Sequence, residues 1–134
     1  MSSVAATLVV YIVDDDESVR KGLSRLIRSA GFEPRAYSSA ERFLAELGSG
    51  DKGCVLLDIT MPRVSGHEVQ ERLTAKHVDL PVIAVSALDD EETRHRAHEL
   101  GARFFLRKPV DDQALLDAVD WVTRESEPGP TRPK

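Results

Sequence analysis

Cysteine is almost missing from this chain, basic residues are outnumbered, and no apolar run is long. The single cysteine, Cys54, excludes an internal disulfide, and its place beside an aliphatic run marks it as a small buried residue. No apolar run reaches the roughly 18 residues of a membrane-spanning helix. Met1 to Val10 lacks the basic start and the cleavage pattern of a secretory signal, so the expected location is cytoplasmic. Lys and Arg number 18 against 23 Asp and Glu, a net charge of −5. That balance argues against nucleic-acid binding by this chain, because phosphate contacts need clustered basic side chains. What is left, 134 residues with 41% apolar and 31% charged, describes one soluble globular domain with a real core.

The most informative stretch is Val55 to Gly66, V-L-L-D-I-T-M-P-R-V-S-G, in which an apolar run stops on Asp58 and turn formers follow. Short aliphatic runs closed by turn residues read as buried strands. Three other runs end in the same chemical way. Leu8 to Val13 leads into Asp14, Asp15 and Asp16; Pro81 to Val85 leads into Ser86; Phe104 to Leu106 leads through Arg107 to Lys108 and Pro109. If these strands are parallel, the carboxylates, the hydroxyl and the ammonium share one edge of a sheet, where open α/β sheets place their ligands.

Between the strands the spacing becomes helical. Glu17 to Ala30 carries Val19, Leu23, Leu26 and Ile27 as one stripe, with Arg20, Lys21, Arg25 and Arg28 off it, and Gly31 closes it. Phe32 to Tyr37 reads as a strand that Pro34 assigns to an edge. Ser38 with Glu41 matches a capping box for a helix running to Gly48. Glu68 to Ala75 is a short helix with Val69 and Leu73 inward. Asp90 to Leu100 is a polar helix with acids first and bases last, as the helix dipole favours. Asp111 to Arg124 is the last helix, with Leu115, Leu116, Val119 and Val122 on its apolar stripe. Five strands alternating with five helices predict a parallel sheet covered on both faces, and no internal repeat is present.

The acidic cluster of V-D-D-D-E-S, the block L-D-I-T-M-P-R-V-S-G, the hydroxyl of V-S-A and the lysine of L-R-K-P, in this order and spacing, resemble the receiver domain of two-component response regulators. The segment S-S-A-E-R-F-L resembles the FixJ-type receivers, which usually precede a helix-turn-helix output domain. The resemblance spans Leu8 to Glu125, so residues 7–125 are expected to form the receiver. Residues 126–134, with three prolines and no core former, are expected to be a disordered tail or a linker stump. The implied fold is a flavodoxin-like (βα)5 three-layer sandwich, its five-stranded parallel sheet in the order 2-1-3-4-5.

That order makes strands one and three neighbours, so Asp14, Asp15 and Asp58 converge. Two carboxylates about 4 Å apart repel by roughly 4 kcal/mol at an effective dielectric near 20, and a divalent cation offsets this best. Hard oxygen ligands favour Mg2+. By resemblance, Asp15, Asp58 and the carbonyl of Thr60 ligate it, Asp14 mainly through water, and Lys108 supplies fixed positive charge before a cis bond to Pro109. The resemblance implies that Asp58 accepts a phosphoryl group from a sensor histidine kinase or a histidine phosphotransferase. The chain would then be a self-phosphorylating signalling domain with slow autodephosphorylation, not an enzyme. Ser86 and the amide of Ala87 would hold the phosphoryl oxygens, and Phe105, at the switch-aromatic position, would rotate inward. A phenylalanine there excludes the hydroxyl-pinned outward rotamer of a tyrosine. The face of helix four, strand five and helix five would carry the signal, in some members as a homodimer. Thr60 and Leu88 occupy the positions that tune phosphate loss, and Leu88 offers no group to position a water.

Other readings compete. V-Y-I-V-D-D-D-E-S also fits a haloacid-dehalogenase-like phosphohydrolase with Asp14 as nucleophile and Asp16 as acid/base, but the Asp58 block would then have no role, no cap domain is visible and the chain is short. On the receiver reading Asp16 simply opens the first helix. An unphosphorylated interaction module is a third class. Ser18 to Lys21 spells S-x-x-K without the partner motifs of a β-lactamase. His95 and His98, one turn apart near Glu91 and Glu99, lack the further histidine or cysteine that zinc would need. A stand-alone receiver is the favoured expectation over one cut from a DNA-binding regulator.

Overall fold

The computed structural model describes residues 8–47, 52–59, 66–75, 80–88, 90–99 and 101–125. Ten elements alternate along them: β1 (Val9–Val13), α1 (Glu17–Ser29), β2 (Glu33–Tyr37), α2 (Ala40–Glu46), β3 (Gly53–Asp58), α3 (Gly66–Ala75), β4 (Val82–Ser86), α4 (Glu91–Glu99), β5 (Phe104–Arg107) and α5 (Asp112–Glu125). The strands form one parallel sheet in the order β2-β1-β3-β4-β5. This is the flavodoxin-like topology expected from the sequence.

Both faces of the central strands are covered, which is why they read as unbroken apolar runs. Side chains alternate across a strand. Tyr11, Val13, Val55, Leu57, Val82 and Ala84 therefore meet Phe43, Leu44, Val69, Leu73 and Ala97 from α2, α3 and α4. Val10, Ile12, Cys54, Leu56, Ile83 and Val85 meet Ile27 of α1 and Leu115, Ala118, Val119 and Val122 of α5. Cys54 is buried as expected, and burial pushes its thiol up to about 12. Among the described residues no helix is long and apolar enough to cross a membrane.

Aspartates start three of the helices. Asp16 accepts from the N–H groups of Ser18 (2.8 Å) and Val19 (3.2 Å), Asp90 from Thr93 (2.7 Å) and Asp111 from Ala114 (2.9 Å). Such a cap contributes about 1 kcal/mol. The cap of α2 differs from the capping box expected at Ser38 with Glu41. Ser39 caps instead, its hydroxyl accepting from the Arg42 N–H at 3.2 Å. Two adjacent serines offer the same chemistry, and burial of Ala40, Phe43 and Leu44 selects the register. The polar α4 buries only Thr93 and Ala97. The expected tail, residues 126–134, and Gly48 lie outside the described residues.

The register of β1 against β3 depends on one glycine. Gly53 pairs with Val9 at φ +130°, and a Cβ there would stand 1.8 Å from the Val9 carbonyl oxygen. Gly22, inside α1, has nothing within 4 Å of such a Cβ. Gly53→Ala is expected to lower unfolding free energy by about 3 kcal/mol or more, and Gly22→Ala to raise it by about 0.5–1 kcal/mol. Denaturant unfolding of both variants checks the contrast.

Candidate functional site

The ends of four strands meet at the carboxyl edge of the sheet. Asp14 follows β1, Asp58 ends β3, Ser86 ends β4 and Lys108 follows β5. Pairing fixes their level: Val13 lies opposite Leu57, Asp58 opposite Val85 and Ser86 opposite Arg107. Asp14, Asp58 and Ser86 are buried, whereas Asp15 is exposed.

Lys108 joins the two buried carboxylates. Its Nζ donates to Asp14 Oδ2 at 2.9 Å and to Asp58 Oδ2 at 3.1 Å. Burial draws the ammonium pKa down, but the bond to Asp14 and the charge of Asp58 outweigh it and hold it above 10.5. The stability it contributes is thus present below that value and lost when alkaline pH removes the proton. Asp14 has the opposite problem. Burial raises its carboxyl pKa above 3.8, and the nearby Asp58 charge adds to this, although the bonds from Lys108 and from the Asp16 N–H (2.9 Å) work against it. Its backbone is held as well, with the N–H donating to the Tyr37 carbonyl at 3.1 Å and the carbonyl accepting from Arg20 Nη1 at 2.7 Å.

The carboxylate oxygens of Asp14, Asp15 and Asp58 lie within 4.8 Å of one another, and among the described residues this is the one such cluster of metal-ligating side chains. Three hard, anionic donors facing a partly exposed crevice fit Mg2+ better than a softer metal. Thr60, the fourth expected ligand, lies outside the described residues. His95 pairs with Glu99 on α4 (3.4 Å), and among the described residues no zinc-type set forms around it.

Ser86 and Lys108 are tied together, the Lys108 N–H donating to the Ser86 carbonyl at 2.8 Å ahead of a cis bond to Pro109. The Leu88 N–H donates to Ser86 Oγ at 3.0 Å, leaving the hydroxyl proton free to donate elsewhere. Ala87 and Leu88 are exposed. Phe105, partly buried on β5, is covered by the Arg94 guanidinium at 5.0 Å from its ring centre. From the same helix Arg96 Nη1 reaches the Ile59 carbonyl, next to Asp58, at 3.4 Å. These arginine contacts cross between elements, and nothing in the periodicity of α4 marks them.

The direction of the Asp14 shift makes a prediction. A carboxyl that holds its proton more tightly in the folded protein costs stability once pH is high enough to remove it. Asp14→Asn is therefore expected to stabilise the metal-free protein at neutral pH. The gain should be absent below pH 3.8 and grow as pH rises through the folded-state titration. Unfolding curves across the acid range check this; a gain independent of pH would contradict it.

Comparison with known proteins identifies the family. Residues 10–120 match the family described as the response regulator receiver domain. The response regulator protein TmoT of Ectopseudomonas mendocina is 40% identical over 111 residues, covering 83% of this chain and 50% of the relative. The transcriptional regulatory protein FixJ of Azorhizobium caulinodans is 37% identical over 113 residues, 84% of this chain and 54% of its own. The solved structure of FixJ-N superposes with a TM-score of 0.81 at 30% identity, over 92% of this chain and 99% of that one. The chain spans about half the length of the curated relatives it matches. It belongs to the receiver domains of response regulators, as a receiver of the FixJ type.

Proposed function

We propose that this chain is the phosphoacceptor of a two-component relay, with the functional unit in residues 7–125, and that Asp58 takes a phosphoryl group from the phosphohistidine of a sensor kinase or phosphotransferase in the cytoplasm. The observation that carries the reading is the Asp58 carboxylate, buried at the sheet edge with Lys108 Nζ at 3.1 Å and two further carboxylates beside it. Asp14, Asp15 and Asp58, with the carbonyl of Thr60, would hold Mg2+, which supplies positive charge to a transferring phosphoryl group.

The chain's own groups do the rest. An Asp58 oxygen forms the P–O bond as the donor's P–N bond breaks; the imidazole keeps that electron pair and takes a proton from solvent. Lys108, already bonded to Asp58, is placed to follow the negative charge onto the phosphoryl oxygens. The free proton of the Ser86 hydroxyl and the Ala87 N–H are the donors that the phosphorylated state would recruit. Recruitment draws the loop after β4 inward and changes the space open to Phe105. A partner that binds the α4–β5–α5 face better in that state reads the change, a second copy of the chain being one such partner. The phosphohydrolase reading fits less well: Asp16, its acid/base, has its carboxylate turned to cap α1.

The test uses acetyl phosphate with Mg2+, borohydride trapping of the acyl phosphate and peptide mass analysis. The label is expected on Asp58 and absent from Asp58→Asn. Label on Asp14 with continuing phosphate release would mean a phosphohydrolase, and none at either would mean an unphosphorylated module. In the same assay Leu88→Glu is expected to shorten the lifetime of the adduct about tenfold, or about 1.4 kcal/mol in barrier, by offering a carboxylate to a water. Equal lifetimes would contradict this role for Leu88.

A further inference from the structure

The net charge of −5 conceals a basic rim along the free edge of the sheet. β2 is one of the two outer strands, bonded only to β1, and a shallow cleft lies on each side of it. One, of about 380 Å³, lies between α1 and Ala36 and is lined by Arg20, Lys21, Arg25 and Arg28. The other, of about 450 Å³, lies towards α2 and is lined by Arg20, Arg35 and Arg42. Arg20 and Ala36 belong to both, so the clefts form one surface.

Half of these cations are already engaged. Arg20 donates to the Asp14 carbonyl, Lys21 pairs with Glu17 at 3.3 Å and Arg35 with Glu33 at 3.0 Å. Arg25, Arg28 and Arg42 are exposed, and their guanidinium groups have no ion pair or hydrogen bond among the described residues. A guanidinium matches a carboxylate or a phosphate in a two-point bond.

The surroundings decide between those anions. Glu17 and Glu46 stand in the same clefts, with Glu33 beside them. A nucleic acid would press phosphates against these carboxylates as well as against the arginines. A protein segment can set acids against the arginines and a base or amide against the glutamates. Lys21, Arg25 and Arg28 share one face of α1, and their rise of about 1.5 Å per residue repeats the one-turn spacing of acids on a partner helix. We propose that the α1–β2–α2 rim docks an acidic segment of a protein partner, with carboxylates on Arg25, Arg28 and Arg42. The proposal goes beyond the phosphoacceptor reading and does not depend on it.

The test titrates the full chain into a fluorescently labelled helical peptide carrying glutamate at each turn, and separately into a labelled DNA duplex, while amide shifts are mapped by NMR. The peptide is expected to bind, to weaken with salt, and to shift amides of α1, β2 and α2. Arg25→Glu, Arg28→Glu and Arg42→Glu together should weaken it at least about tenfold, or ~1.4 kcal/mol. Lysine at the same three exposed positions keeps the charge but not the two-point bond, and should restore only part of the binding. Absence of peptide binding, undiminished binding by the glutamate variant, or shifts confined to other faces would overturn the proposal. Tighter binding of the duplex, lost in the glutamate variant, would overturn it in favour of a nucleic-acid surface.

Discussion

The site depends on one ammonium shared between two buried carboxylates. Asp14 follows one strand and Asp58 ends its neighbour, so the topology that builds the sheet also forces like charges together. Lys108 answers this from the far side of β4, where its backbone is bonded to Ser86 and its Nζ reaches both aspartates. Burying such groups is tolerable only when they are paired. The arrangement is therefore poised: the same carboxylates that need Lys108 offer a divalent cation its ligands, and a phosphoryl group on Asp58 would redistribute the charge that Lys108 balances.

The rest of the fold serves this edge. Two apolar layers hold β1, β3 and β4 in register, so their last residues emerge at one level. Helix caps at Asp16, Asp90 and Asp111 start α1, α4 and α5 within a few residues of that edge and leave the crevice to Asp14, Asp15, Asp58 and Lys108. α4 is the least apolar helix, held in part by Arg94 over Phe105 and Arg96 on the Ile59 carbonyl. An element attached by polar contacts beside Asp58 is the natural one to shift if the charge at that position were to change.

Much of this was legible in the sequence because the signals are local. Apolar runs closed by Asp58, Ser86 or Lys108 mark both the strands and the chemistry at their ends, and the glycine after α1 marks a helix stop. The α2 cap shows where local signals run short: Ser38 and Ser39 are equivalent until Phe43 and Leu44 are packed. The covering of Phe105 by Arg94 and the reach of Arg96 join distant elements, so no spacing rule points to them. In the sequence the basic residues of α1 are marked only as lying off its apolar stripe, and the outer place of β2 is what joins them to Arg35 and Arg42 in one surface.

The most direct measurement of the central constraint is a double-mutant cycle of Lys108→Met with Asp14→Asn, followed by unfolding at neutral pH without metal. If Lys108 neutralises the buried pair, Lys108→Met is destabilising, and Asp14→Asn stabilises the methionine background more than it stabilises the native one, with a coupling of about 1–3 kcal/mol. Additive effects would mean that Lys108 and Asp14 do not share the charge, and the account of the site would fail with them.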